Sequence, residues 1–276
     1  MLRSMNDLEN YVIRATDGNI GHVTDFTFDD RAWVIRYFVV DAGASLASRK
    51  VLISPMGVGH LNWGDRTIPV SITKEQVLNS PAFDHQQPIS QEHEVEYLGY
   101  YNYPYYWGGS GLWGEEIYPD RFTAGAGCFE NTPFILKLSR NESSDPYEKA
   151  EPHPQHRLRS AITLKGSRVI AADGDIGHVS DMLIDEETWA IRYLVIETAS
   201  WWQGHQILIA PQWIEAMNWA DTAISIEMTR QEVKGSPHFD PNVQIDRQDE
   251  IGIHEHYGSP GYWIVEVDRK EELPAD

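Results

Sequence analysis

The sequence predicts an all-β-dominated chain: two small duplicated β-barrels, each with one short helix, joined by a partly flexible linker. Two observations carry this. The first is an internal repeat. Asp17 to Asp41 (DGNIGHVTDFTFDDRAWVIRYFVVD) returns at Asp173 to Glu197 (DGDIGHVSDMLIDEETWAIRYLVIE), an offset of 156 residues. At that offset 26 of the 68 positions from Asp17 to Asp84 are identical, which is too many for unrelated segments and makes two copies of one module the firmest conclusion. The second is the pattern within a copy: short β-branched and aromatic runs separated by turn signals.

In chain order, Val12 and Ile13 start the first strand, and Asp17-Gly18 marks a turn, since glycine accepts positive φ and aspartate bonds nearby backbone. A strand then runs through Phe28, Asp29-Asp30-Arg31 turns the chain, and Trp33 to Val40 forms a strong strand that only Arg36 interrupts. Asp41 to Ser48 reads as a loop. Lys50 to Ile53 is a strand stopped by Pro55, and Thr67 to Ile72 is another, whose proline suggests an edge. Thr73-Lys74-Glu75-Gln76 carries a capping box, so a one- or two-turn helix is expected before Ser80-Pro81. The second copy repeats every element.

The expected domains are a barrel over 8–88, an aromatic arm over 89–107, a linker over 108–160, a barrel over 161–244, an arm over 245–263 and an acidic tail over 264–276. The arms, EVEYLGYYNYPYYW and EIGIHEHYGSPGYW, hold prolines and glycines and are read as extended segments laid across a barrel. Glycine-rich stretches mark the linker, with Phe134 to Leu138 as its apolar island.

Composition narrows the function. Forty-two acids against 22 bases give a net charge of −20, which opposes binding to nucleic acid or anionic lipid and leaves protein partners open. Cys128 is the single cysteine, so an internal disulfide is impossible and a reducing, cytoplasmic location is expected. The first residues hold no apolar run of the signal-peptide kind, and nowhere do eighteen apolar residues stand together, so no membrane span is expected.

The module resembles the PRC-barrel domain. The resemblance is carried by Asp17, Gly18, Ile20, Gly21, Val23 and Asp25, by Ile35 to Val40, by Leu52 to Pro55 and by Thr73 to Phe83. The second copy matches at Asp173, Gly174, Ile176, Gly177, Val179 and Asp181, with Arg192 standing where Arg36 does. That family includes the cytoplasmic barrel of the photosynthetic reaction-centre H subunit and the C-terminal domain of the ribosome maturation factor RimM. The resemblance implies a stand-alone tandem protein that binds or scaffolds other proteins, with no cofactor and no catalytic residue. It also raises an accessory of a photosynthetic or electron-transfer membrane complex, or a ribosome assembly factor. The two barrels pairing as a pseudo-dimer, or two chains as a homodimer, is a further expectation.

Individual residues weigh the same way. His22 and His178 share a repeat position, but Asp25 and Asp181 stand three residues on and so face the other side of a strand. Arg36 and Arg192 are expected to pair with an acid such as Asp25 or Asp181. His254 and His256, with Glu250 and Glu255, are weak metal candidates, because alternate residues of an extended arm share a face. Partner contacts are expected at Trp201, Trp202, Trp107, Trp263, Tyr106 and Tyr262, since exposed aromatics anchor interfaces. No nucleophile stands with a base, and no phosphate loop or dinucleotide fingerprint occurs.

Overall fold

A computed structural model describes residues 1–43, 49–61, 63–84, 88–107, 109–119, 158–198, 202 and 204–264. Cys128, the 134–138 island, residues 265–276 of the tail and Trp201 lie outside the described residues.

The chain starts with β1 (Leu2–Ser4) and a one-turn helix, α1 (Met5–Leu8). The first copy then gives β2 (Val12–Ala15), β3 (Gly18–Asp29), β4 (Val34–Asp41), β5 (Lys50–Ile53) and β6 (Thr67–Pro69). Helices α2 (Lys74–Leu78) and α3 (Gln91–Tyr101) follow. The second copy supplies β7 (Leu158–Ser160), α4 (Ala161–Leu164), β8 (Arg168–Ala171), β9 (Gly174–Asp185), β10 (Ile191–Thr198) and β11 (Gln206–Ile209). It ends with β12 (Ile214–Asn218), β13 (Ala223–Ile226), α5 (Arg230–Gly235) and α6 (Arg247–His256).

Two compact units result. The first is built on Leu8–Ser160 with Glu187–Trp189, the second on Met1–Asp7, Ala161–Glu186 and Ala190–Asp276. In the first, the sheet order is β5-β4-β3-β2-β6 with β7 on β3; in the second it is β11-β10-β9-β8-β13-β12 with β1 on β9. Most neighbours are antiparallel, but β2–β6 and β8–β13 are parallel. Ile214↔Ile226 belongs to a full strand pair in the second unit, while the matching Val58↔Val70 in the first is a single bridge.

The curl follows from local breaks. Register shifts interrupt β3 between Val23 and Asp25 and β9's pairing with β10 between Val195 and Ile196. Each bulge adds twist and bends a strand around the core. At Gly21 a Cβ would sit 1.9 Å from the Asp41 carbonyl oxygen, so β3 approaches β4 there too closely for any side chain. The cores are filled from β3, β4, β9 and β10, including Phe26, Phe28, Phe38, Ile184 and Leu194, all at most 1% exposed. Burying such side chains contributes about 1.5–3 kcal/mol each.

Both capping boxes form. Thr73 Oγ1 accepts from the Gln76 amide at 3.1 Å and Gln76 Oε1 from the Thr73 amide at 2.8 Å; Thr229 and Glu232 repeat this. The repeated turn aspartates reach the same helices. Asp17 Oδ1 accepts from the Lys74 amide at 2.9 Å and Asp173 Oδ1 from the Arg230 amide at 2.8 Å. They satisfy donors that a helix start leaves open.

Two expectations are corrected. The aromatic arms are not extended: residues 91–101 and 247–256 are helices, so each unit holds more than one short helix. Ser90 and Asp246 cap them, Asp246 with a box closed by Asp249, and the proline and glycines expected to forbid a helix fall mostly beyond its end. Leu158–Ser160, assigned to the linker, is a strand. Three residues alone make no strand signal; the pairing partner supplies it.

Candidate functional site

In each unit the helix after the barrel points one carboxylate into the interior. Glu94, on α3, is 1% exposed. Its Oε1 accepts from Tyr37 Oη on β4 at 3.2 Å and from Tyr106 Oη, which lies past the end of α3. In the second unit Glu250 Oε2 accepts from Tyr193 Oη at 3.2 Å and Tyr262 Oη at 2.8 Å. The positions match at the 156-residue offset.

An arginine covers each cluster. The Arg36 guanidinium lies 3.9 Å from the centre of the Tyr106 ring and 4.8 Å from that of Trp113. It also donates to Asp29 Oδ2 at 3.3 Å and the Leu112 carbonyl at 2.6 Å. Arg192 repeats the stack on Tyr262 at 3.9 Å and the pair with Asp185 at 3.2 Å. The arginines therefore pair with Asp29 and Asp185, not with Asp25 and Asp181. Arg36 falls at the register shift between Tyr37 and Ile35 on β4, two residues from Val34, the partner of Asp29, and three from Val39, the partner of Asp25, so the aspartate nearer the hairpin turn is the one reached.

Burial sets the electrostatics. It pushes the Tyr37 and Tyr106 hydroxyls well above the ordinary phenol range, helped by the Glu94 charge, and Tyr193 and Tyr262 likewise beside Glu250. All four stay protonated donors. Burial also raises the Glu250 carboxyl, against the opposing hydrogen bond from Tyr262 and the Arg247 charge. These groups tie a helix to a sheet: one carboxylate oxygen filled by two phenols has its acceptor capacity committed.

The other residues singled out by sequence are dispersed. His22 and His178 are exposed, the latter 3.7 Å from Glu197 Oε2 on the adjacent strand. Asp25 and Asp181 accept from Ser160 and Ser4 at 2.6 and 2.5 Å. Burial raises the Asp181 carboxyl, and the Ser4 hydroxyl opposes the rise. His254 and His256 do not share a face, because two residues on a helix diverge. His254 Nε2 meets Tyr193 Oη at 3.0 Å in the interior, and His256 Nε2 meets the Glu232 carbonyl at 2.8 Å.

Of the expected anchors, Tyr106 is buried and Tyr262 half-buried, both spent on the carboxylates. Trp107 is half-buried and stacks on Tyr105 with ring centres 4.8 Å apart. Trp263 lies 5.0 Å from His254 and under Arg247 at 4.5 Å. Trp202 stacks on His205 at 4.2 Å. Sequence reading missed Glu94 and took Glu250 only as a weak metal ligand; their equal offset, matching that of the repeated Tyr37 and Tyr193, was the available signal.

Residues 3–77 match the family model described as PRC-barrel domain, so the first copy carries that small β-barrel module. No curated protein matches the chain. Among the described residues no helix is long and apolar enough to cross a membrane.

Proposed function

We propose that the chain is a non-enzymatic protein-binding scaffold of two PRC-type barrels that works in the cytoplasm on protein partners, without a cofactor and without nucleic acid. The observation carrying this reading is the α2–α3 corner of the first unit. Leu78 is 46% and Tyr100 41% exposed there, where the second copy has Lys234 and His256. Tyr100 Oη donates to the Gln76 carbonyl at 2.8 Å, which fixes its ring beside α2 and presents a rigid aromatic anchor. The half-buried Trp107 is a second anchor on the same stretch of chain. The buried acids and phenols support the non-enzymatic part of the reading, since they are committed to holding helices.

The test compares crosslinking capture from native lysate by the full chain and by a Leu78→Lys, Tyr100→His variant carrying the second copy's own residues. A partner held by the first and lost by the second is expected. Equal recovery by both overturns the assignment of the corner, and substrate turnover by the purified chain overturns the non-enzymatic reading.

A further inference from the structure

The strand preceding each copy belongs to the unit built on the other copy. β1 lies before the first copy but pairs with β9, in the register Leu2↔Asp185, Arg3↔Ile184 and Ser4↔Leu183. β7 lies before the second copy but pairs with β3, as Leu158↔Asp29, Arg159↔Phe28 and Ser160↔Thr27. Both strands read Leu-Arg-Ser, again 156 residues apart.

Each seat reads those three residues in the same way. Leu2 and Leu158 are both 6% exposed. Arg3 Nε pairs with Glu186 at 3.0 Å and Arg159 Nε with Asp30 at 3.0 Å, and Asp30 and Glu186 are equivalent positions. Ser4 and Ser160 donate to the equivalent Asp181 and Asp25. The backbone seat is the part of a long strand that its next neighbour leaves uncovered. β8 pairs with β9 only from Gly174 to His178, so residues 183–185 present an edge beyond it. An uncovered edge is a template for an added strand, with main-chain bonds supplying affinity and side-chain pockets supplying specificity.

We propose that these seats are strand-acceptor sites specific for Leu-Arg-Ser, and that β1 and β7 are interchangeable occupants, so that the leading strand of a second copy of this chain can fill a seat in trans. Within one chain the tethered strand wins by effective concentration, which is of millimolar order for short flexible tethers. Exchange therefore shows once the resident strand is weakened. Such exchange of identical elements is a low-cost route to association. The capture experiment above neither assumes nor tests this property.

The test uses the full chain with Ser4→Pro, which removes from β1 the serine hydroxyl that donates to Asp181. The probe is a fluorescent peptide of residues 1–8. Binding at least tenfold tighter than to the unaltered chain is expected, with competition by a peptide of residues 157–164 and none by the 1–8 peptide carrying Arg3→Glu. A folded Ser4→Pro chain that binds no tighter, or peptides that compete without regard to the arginine, overturns the proposal. Should Ser4→Pro not fold, mixing decides. A chain with Arg3→Glu keeps its β9 seat and a chain with Glu186→Arg keeps its β1, so heterodimers are expected in the mixture and in neither chain alone. A mixture showing no association beyond that of the separate chains overturns the proposal.

Discussion

In the first unit Glu94 and Arg36 are 1% and 2% exposed, and the guanidinium lies in the angle between the edge-packed rings of Tyr106 and Trp113. Trp113 is fixed in turn by its Nε1, which donates to the Thr188 carbonyl at 2.9 Å. In the second unit Glu250 meets a further cation, Arg247, at 3.1 Å, and His254 replaces Leu98 beneath it. The same carboxylate between two tyrosines is thus sealed by an aromatic lid in one unit and balanced by charge in the other. A second exchange runs alongside. Tyr97 Oη accepts from the Ser54 amide and donates to the Leu52 carbonyl, both at 3.1 Å, whereas the equivalents Ile253 and Ala210 are apolar. The hydrogen bonds at the carboxylate thus match between the two units while the surroundings differ as sets.

Arg36→Met breaks the comparison hardest. It leaves Asp29, whose side chain is 9% exposed, buried without its cation, at a cost of about 3–5 kcal/mol. Arg192→Met is expected to cost less, since the Asp185 side chain is 16% exposed and water can recover part of its solvation. Urea unfolding of the full chain, with the units followed separately by amide exchange and mass spectrometry, ranks the two. A larger loss for Arg192→Met would reverse the reading of which unit is sealed.

The caps are expected to behave alike. Thr73→Ala and Thr229→Ala each remove one box, and each should cost its own unit about 1 kcal/mol in the same measurement. Unequal losses would show that the two helix starts carry different loads.

Acid should separate the units through His254, with a smaller effect than a lost cap. Burial lowers its folded pKa below the ordinary value, so its neutral form contributes stability above the unfolded pKa, and this is lost as pH falls through the folded one. His254 meets the Tyr193 hydroxyl and feels the Arg247 charge, and the raised Glu250 carboxyl, which shares Tyr193, acts in the opposite sense, favouring the folded state as pH falls. Comparison with His254→Leu isolates the histidine: the variant should lose less stability than the parent between pH 7 and pH 5. Equal slopes would remove His254 from the account.

The smallest effect is expected at the latch between the two helices. Tyr100 Oη and His256 Nε2 meet equivalent carbonyls, those of Gln76 and Glu232. Tyr100→His should therefore change stability by no more than about 0.5 kcal/mol, as exposed substitutions commonly do. A loss several times larger, measured by thermal unfolding, would show that the ring supports the first unit in a way its counterpart does not.

Local signals in the sequence were enough for the duplication, the strands β2–β5 and their repeats, the Asp-Gly turns and both capping boxes. Each depends on residues a few positions apart, and pattern reading sees that range. The aromatic stretches defeated it because their tyrosines follow no clean helical stripe and a proline stands shortly after them. Their helices are held by an acid reaching a tyrosine 57 residues away, Glu94 to Tyr37 and Glu250 to Tyr193. The choice of Asp29 over Asp25 for Arg36 was likewise settled by the register of β3 on β4, which sets Asp29 opposite Val34, two residues from the arginine, and Asp25 opposite Val39. The repeated Leu-Arg-Ser was legible as letters, but that each copy lends its leading strand to the other's sheet was decided only in the tertiary structure. Three residues carry too little local preference to fix a strand, so the edge that receives them makes the choice.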